Sequence, residues 1–167
     1  MHTLIRGDDR MKNGTWKTYA FWIGLAEAVG ALSGWLSRDG MKQYSETVIQ
    51  PPLSPPMWVF PVAWGILFAL MGIGAARIRL GNIPAERNRS INLFVAQLIV
   101  NFFWSLIFFN ARAYGAAFLW LLLLWALVAW MILEFRKMDP VAAWLQIPYL
   151  LWLTFAAYLN YGVWKLN

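Results

Sequence analysis

The chain has no cysteine and a single histidine, His2. The first absence excludes disulfides, thiolate metal sites and cysteine nucleophiles. The second leaves every apolar segment without an imidazole, so the histidine axial ligation common in haem proteins and a serine–histidine triad are excluded. Nor does the sequence gather His, Asp and Glu at spacings that suit zinc or di-iron chemistry. Charge is scarce as well. Only 13% of residues are charged, against roughly a quarter in ordinary globular domains. What is there is apolar: 60% hydrophobic residues, twelve tryptophans and eleven phenylalanines, with a mean hydropathy of +0.51. Aromatic rings in such numbers suit the two interfaces of a membrane. The net charge of +6 does not read as a nucleic-acid surface. The basic residues sit mostly between apolar runs, where they set topology and meet anionic lipid headgroups.

Five apolar stretches are each long enough to cross a bilayer as a helix: about 16–36, 57–78, 91–109, 114–135 and 141–164. Residues 1–15 form a polar tail without a cleavable signal. Within it Met1–Arg10 reads as a floppy leader ahead of a possible alternative start at Met11. Residues 16–167 form the transmembrane domain. Ser54-Pro55 and Asp139-Pro140 each offer an N-cap oxygen followed by a proline at the first helical position. Asn110–Ala113 leaves only a tight turn, which makes the third and fourth spans antiparallel neighbours. Ser37–Pro56 is the exception, a loop of about 20 residues where compact proteins favour two to eight. Lysine and arginine give the orientation. The tail and the second and fourth loops hold ten: Arg6, Arg10, Lys12, Lys17, Arg77, Arg79, Arg87, Arg89, Arg136 and Lys137. The opposite side holds four: Arg38, Lys42, Arg112 and Lys165. The bias places the N-terminus in the cytoplasm, with the first loop and the C-terminus across the membrane.

Polar groups inside a span are costly and mark cavities or helix contacts. Glu27 reads as the lone carboxylate within a span, either a proton or cation site, a polar anchor for a ligand, or a tie between helices. Gly30 and Gly34 make a small-residue step that suits close helix packing within the bundle or across a dimer. Gln97, Asn101 and Ser105 share one face of the third span, with Trp104 beside them. Tyr149, Trp152, Ala156 and Asn160 share a face of the fifth, and Phe60, Trp64 and Phe68 a face of the second. Together the three stripes either line a pocket for a flat, largely apolar ligand or form an aromatic packing seam. Trp120, Trp125 and Trp130 rotate around the fourth span and are expected to meet lipid.

Three separated segments carry a resemblance. Pro51-…-Pro55-Pro56-Met57-Trp58-Val59-Phe60-Pro61 leads to Trp64. Ala96-Gln97-Leu98-…-Asn101-Phe102-…-Trp104 is followed by Ile107-Phe108-Phe109. Pro148-Tyr149-Leu150-Leu151-Trp152-…-Phe155-Ala156-…-Leu159-Asn160-Tyr161-…-Trp164 closes the chain. In this order they resemble the TspO/MBR family, bacterial relatives of the mitochondrial translocator protein, from Trp16 to the end. The resemblance implies an all-α bundle of five transmembrane helices, often a homodimer, with a pocket beneath a long first loop that acts as a lid. It implies binding of porphyrins such as protoporphyrin IX, of sterols and of benzodiazepine- or isoquinoline-type drugs, with no cofactor required and no nucleic-acid partner. By position, Trp64, Asn101 and Trp152 match pocket residues, with Gln97, Tyr149 and Ala156 close by. Trp64 and Trp152 match the two tryptophans implicated in light-dependent porphyrin breakdown, which makes them the candidate catalytic residues. The alternative is a porphyrin transporter with Glu27 as coupling residue. Tyr161, Trp164 and Lys165 fit a cholesterol-contact pattern and are read first as interfacial anchors. The chain departs from the family in its first loop, where Gln43 and Leu53 stand in place of tryptophans and Gln50 in place of a lysine. The lid is therefore expected to be less aromatic.

Overall fold

The computed structural model describes residues 5–81 and 84–167, the side chains of 5–13 and 84–85 excepted. Among the described residues every regular element is a helix, as expected of an all-α bundle. Helix α1 spans Ile5–Thr47, α2 Val59–Leu80, α3 Pro84–Ser105, α4 Tyr114–Met138, α5 Pro140–Trp144 and α6 Ile147–Leu166. A π-helical turn, Leu106–Asn110, continues α3, and α5 with α6 makes one interrupted span. Five helical stretches are long and apolar enough to cross a membrane. Leu119, Ile66, Leu151 and Phe21 face outward from them, as lipid-facing side chains do. Of the leader expected at Met1–Arg10, residues 1–4 lie outside the described residues, and the backbone from Ile5 onward is helical.

The largest correction concerns the first loop. The expected loop of about 20 residues is helix for its first half, because α1 runs to Thr47 and leaves only 48–58 to reach α2. Ser37–Thr47 is polar enough to end an apolar run, yet it holds no proline. Its inward residues Ser37, Met41 and Tyr44 follow steps of four and three and are buried or half-buried, which is helical periodicity. The first proline, Pro51, comes just past its end. From Gly14 to Thr47 the helix is about 50 Å long, well beyond the roughly 30 Å of a hydrocarbon core. The extension leans on the end of α3. A Cβ on Gly40 would lie 2.6 Å from the Phe109 carbonyl oxygen, so glycine permits that approach, and Asn110 Nδ2 donates to the Leu36 carbonyl at 3.0 Å.

The short connection is pinned to the end of α6. The Ile49 backbone exchanges hydrogen bonds with the Asn167 side chain, both 3.0 Å, and the Tyr158 hydroxyl donates to the Pro52 carbonyl at 2.9 Å. Ser54 caps the local turn through Pro51 and not α2. That helix begins at Val59 behind Trp58, with no side-chain cap. Asp139 behaves as expected: its Oδ1 accepts from the N–H groups of Val141 and Ala142 at 2.9 and 3.2 Å.

Close packing starts from α1 against α2, where a Cβ on Gly72 would strike the Ile23 backbone. The contact needs glycine, the small-residue logic of membrane bundles. The fifth span breaks at Leu145–Gln146 because Pro148 has no N–H to offer the preceding turn. Buried Gln146 repairs the break by donating to the Ala142 and Leu70 carbonyls at 3.3 and 3.4 Å. The lone-carboxylate reading of Glu27 also needs correction. Glu134 lies inside α4, buried, and accepts from Lys137 at 2.9 Å and from the Trp130 indole at 3.3 Å, with Arg89 at 3.3 Å. Near a helix end, a paired carboxylate serves as a structural tie. Of the three rings expected to meet lipid, Trp125 and Trp130 are exposed. Trp120 is half-buried, and its indole donates to the Val100 carbonyl at 2.7 Å.

Asp139 also receives the Arg77 Nε at 2.8 Å, which joins the end of α2 to the α4–α5 turn. Burial pushes its carboxyl up, but the Arg77 guanidinium and the two capping N–H groups outweigh that and hold it below the usual carboxylate range. A depressed acid contributes stability above its unfolded pKa of about 3.9 and loses it as pH falls through the folded value. Asp139→Ala is therefore expected to destabilise the detergent-solubilised protein by about 1–2 kcal/mol at neutral pH. In thermal unfolding the gap from wild type should stay constant to about pH 4 and close only below it.

Candidate functional site

The inward faces of α1, α2, α3 and α6 enclose a cavity of about 450 Å³, within the range of ligand sites. Phe60, Trp64 and Phe68 of α2 line it at steps of four, as their spacing predicts. From α3 come Asn101, Trp104 and Ser105, followed by Phe108 and Phe109 in the π-helical turn, and from α6 come Trp152, Ala156 and Asn160. Seven of the nine expected ligand-binding residues thus face one space. The stripes form a pocket and not a closed packing seam.

The rings are arranged as a corner. Trp152 meets Trp64 at 6.5 Å and 83°, and Phe60 at 6.1 Å and 74°, both edge-to-face. A flat ligand stacked on one indole would present its edge to the other. Across the cavity Trp104 stacks on Phe108 at 5.3 Å and 25°. Its indole donates to Asn160 Oδ1 at 3.3 Å, while Asn160 Nδ2 donates to the Tyr114 carbonyl at 2.8 Å. That chain fixes the ring plane before any ligand arrives.

Gln97 and Tyr149 fall on the expected helix faces but lie one layer behind the wall, fully buried. Asn101 Nδ2 donates to the Tyr149 hydroxyl at 2.6 Å, and that hydroxyl donates to Gln97 Oε1 at 3.0 Å. Gln97 Nε2 points at the Met71 sulfur, 3.6 Å away. Trp64 rests edge-on against the Tyr149 ring at 6.0 Å. These two residues position Asn101 and Trp64 and stay out of the cavity themselves.

Of the α1 wall, sequence reasoning singled out Glu27 and missed the rest. Glu27, Gly30, Gly34, Ser37, Met41 and Tyr44 line the cavity at steps of three or four along one helix face, with Ala31 beside Gly30. Gly30 lies against the Phe68 ring, so one glycine of the small-residue step packs inside the bundle while Gly34 opens on the cavity. Ser33, Ser37 and Ser105 form a hydroxyl cluster on the same wall. Ser33 bonds Ser105 and the Phe102 carbonyl, and Ser37 donates to Ser105 at 3.1 Å. The connection to α2 adds Met57. The positions that depart from the family stand elsewhere. Leu53 is 81% exposed with φ of 67°, and exposed Gln43 accepts from Arg112. Neither they nor Gln50 line the cavity.

Comparison with known proteins agrees with the geometry. The TspO/MBR family model matches residues 22–165. The chain is similar to the tryptophan-rich protein TspO of Chlorobaculum tepidum, 36% identical over 151 residues, which are 90% of this chain and 96% of that one. It is 38% identical to the translocator protein of Ovis aries over 131 residues, 77% of each chain. It is 35% identical to the translocator protein of Homo sapiens over 147 residues, 86% of each.

Tyr149→Phe keeps the ring and removes the hydroxyl, which leaves the Asn101 amide and the Gln97 carbonyl facing a buried space without their partner. The expected cost is about 1–3 kcal/mol, read by denaturant unfolding in detergent. Wild-type stability would show that the hydroxyl does not tie α3 to α6.

Proposed function

The chain belongs to the TspO/MBR family and is a multi-pass membrane protein, and on that premise we propose that it is a receptor for flat, polycyclic ligands of the tetrapyrrole class, protoporphyrin IX among them. The observation that carries the reading is the corner of Trp64 and Trp152 inside a cavity with an overwhelmingly apolar, ring-rich wall. Stacking and dispersion supply the affinity of such a site, and a few polar groups orient the ligand. Asn101, Asn160 and the serine cluster are placed to do that here. The same ring arrangement favours benzodiazepine- and isoquinoline-type aromatics.

An indole beside a photoexcited porphyrin can give up an electron, so Trp64 and Trp152 are the groups through which light-dependent breakdown would run. The transporter alternative has Glu27 on the cavity wall in its favour. However, among the described residues no second carboxylate, lysine, arginine or histidine lines the cavity to form a relay with it. The ten-to-four division of basic residues supports a cytoplasmic N-terminus, with the mouth near Tyr44 and Met57 on the opposite side.

Titration of purified protein with protoporphyrin IX, followed by tryptophan quenching, tests the reading. Trp64→Phe/Trp152→Phe should weaken binding by about tenfold or more, from the loss of two indole faces worth about 1 kcal/mol each. Because that variant also removes two quenched fluorophores, affinity should be read in parallel from the porphyrin absorbance. Unchanged affinity would place the porphyrin outside this cavity.

A further inference from the structure

Away from the cavity, an open groove of about 270 Å³ lies between α1 and α2 at the end of the bundle opposite the mouth. It is lined by Lys17, Thr18, Phe21, Trp22 and Arg79. The packing of the two helices sets its level. Gly72 meets the Ile23 backbone, and Lys17 lies six residues before Ile23 while Arg79 lies seven after Gly72. Because the helices run antiparallel, both cations sit about 10 Å from that contact, at one depth on either side of the groove. Lys17 is also about 31 Å by helix rise from Arg38 at the far end of the span. The pair therefore marks the edge of a hydrocarbon core roughly 30 Å thick. Neighbouring cations are already committed, Arg77 to Asp139 and both Arg89 and Lys137 to Glu134. Lys17 and Arg79 have no ion-pair or hydrogen-bond partner among the described residues, and no carboxylate lines the groove. Thr18 donates its hydroxyl proton to the Gly14 carbonyl at 3.0 Å, which leaves the two cations as the donors free to meet a ligand. Toward the bilayer centre the groove is aromatic. Trp22 is buried, edge-on against Phe94 at 5.6 Å, and Phe21 is exposed.

We propose that this groove is a binding site for one anionic phospholipid, whose phosphate lies between Lys17 and Arg79 and whose acyl chain runs inward past Phe21. Two unpaired cations at headgroup level complement a headgroup with net negative charge, whereas a zwitterionic lipid brings its own ammonium to the same place. The aromatic floor favours a lipid over a free phosphate, because a soluble anion gains nothing from Phe21. Held there, the lipid bridges α1 and α2 beyond the end of their glycine contact. The site is separate from the cavity and does not rest on the ring-binding reading.

Native mass spectrometry of the full chain, released from nanodiscs of equal phosphatidylglycerol and phosphatidylcholine, tests it. Wild type is compared with Lys17→Gln/Arg79→Gln and with Lys42→Gln/Arg136→Gln, a control that removes two exposed cations elsewhere. Circular dichroism of each variant checks the helical fold. Wild type should retain one phosphatidylglycerol in about tenfold preference to phosphatidylcholine, the scale of two cations acting on one headgroup at a membrane surface. The groove variant should fall to within about twofold of no preference, while the control keeps the wild-type ratio. Excess glycerol 1-phosphate, a soluble form of the headgroup, should not displace the lipid. Absence of a preference in wild type, a comparison that needs no variant, would overturn the site. A ratio unchanged in the groove variant, or lost equally in the control, would assign the preference to diffuse charge and overturn it too. Displacement by glycerol 1-phosphate would overturn the lipid as occupant in favour of a free anion.

Discussion

A phenol hydroxyl buried away from lipid and water sets the spacing of the helices around the cavity. Tyr149 on α6 accepts from Asn101 and donates to Gln97, both on α3. The Tyr149 hydroxyl is fully buried, and in an apolar surrounding an unmade hydrogen bond costs its full desolvation. The two helices are therefore held at one separation and one rotation. Trp64 leans on the same phenol ring, so α2 takes its position from it as well. The corner between Trp64 and Trp152, and with it the shape of the cavity, follows from this small network.

The other walls are arranged around that fixed side. Helix α1 packs tightly on α2 at Gly72 and Gly30, and higher up it follows α3 through the serine cluster and Asn110. Extending α1 to Thr47 carries Met41 and Tyr44 over the aromatic group of Phe108, Phe109 and Trp104. The connection to α2 is short and bonded to the end of α6. The mouth is thus built from helix ends and a pinned segment, and its geometry is largely set before a ligand arrives, which lowers the entropic cost of binding.

Much of this was legible in the sequence because helices convert spacing into direction. Steps of four in Phe60, Trp64 and Phe68, and in Gln97, Asn101 and Ser105, fixed which side chains share a face. Spacing gives an angle and not a depth, so Gln97 and Tyr149 read like pocket residues although they lie one layer behind. The α1 wall was hidden for a different reason. Glycine, alanine and serine carry almost no periodic apolar signal, and their role appears only when a neighbouring helix is placed beside them. The polar stretch Ser37–Thr47 masked a helix because hydropathy falls where the chain leaves the bilayer, while the helical pattern of Ser37, Met41 and Tyr44 continues. Leu53 stands at a family tryptophan position, and only its outward, positive-φ geometry shows that this substitution alters the surface of the connection.

The central claim is that the space bounded by Phe60, Trp64, Trp104 and Trp152 is where a flat ring resides. A crystal structure of the protein with protoporphyrin dimethyl ester bound measures this most directly. The account predicts density for the macrocycle stacked on one indole of the Trp64–Trp152 corner, with Tyr149 still bridging Asn101 and Gln97 behind it. A macrocycle bound on the lipid-facing surface, with the cavity vacant, would contradict it.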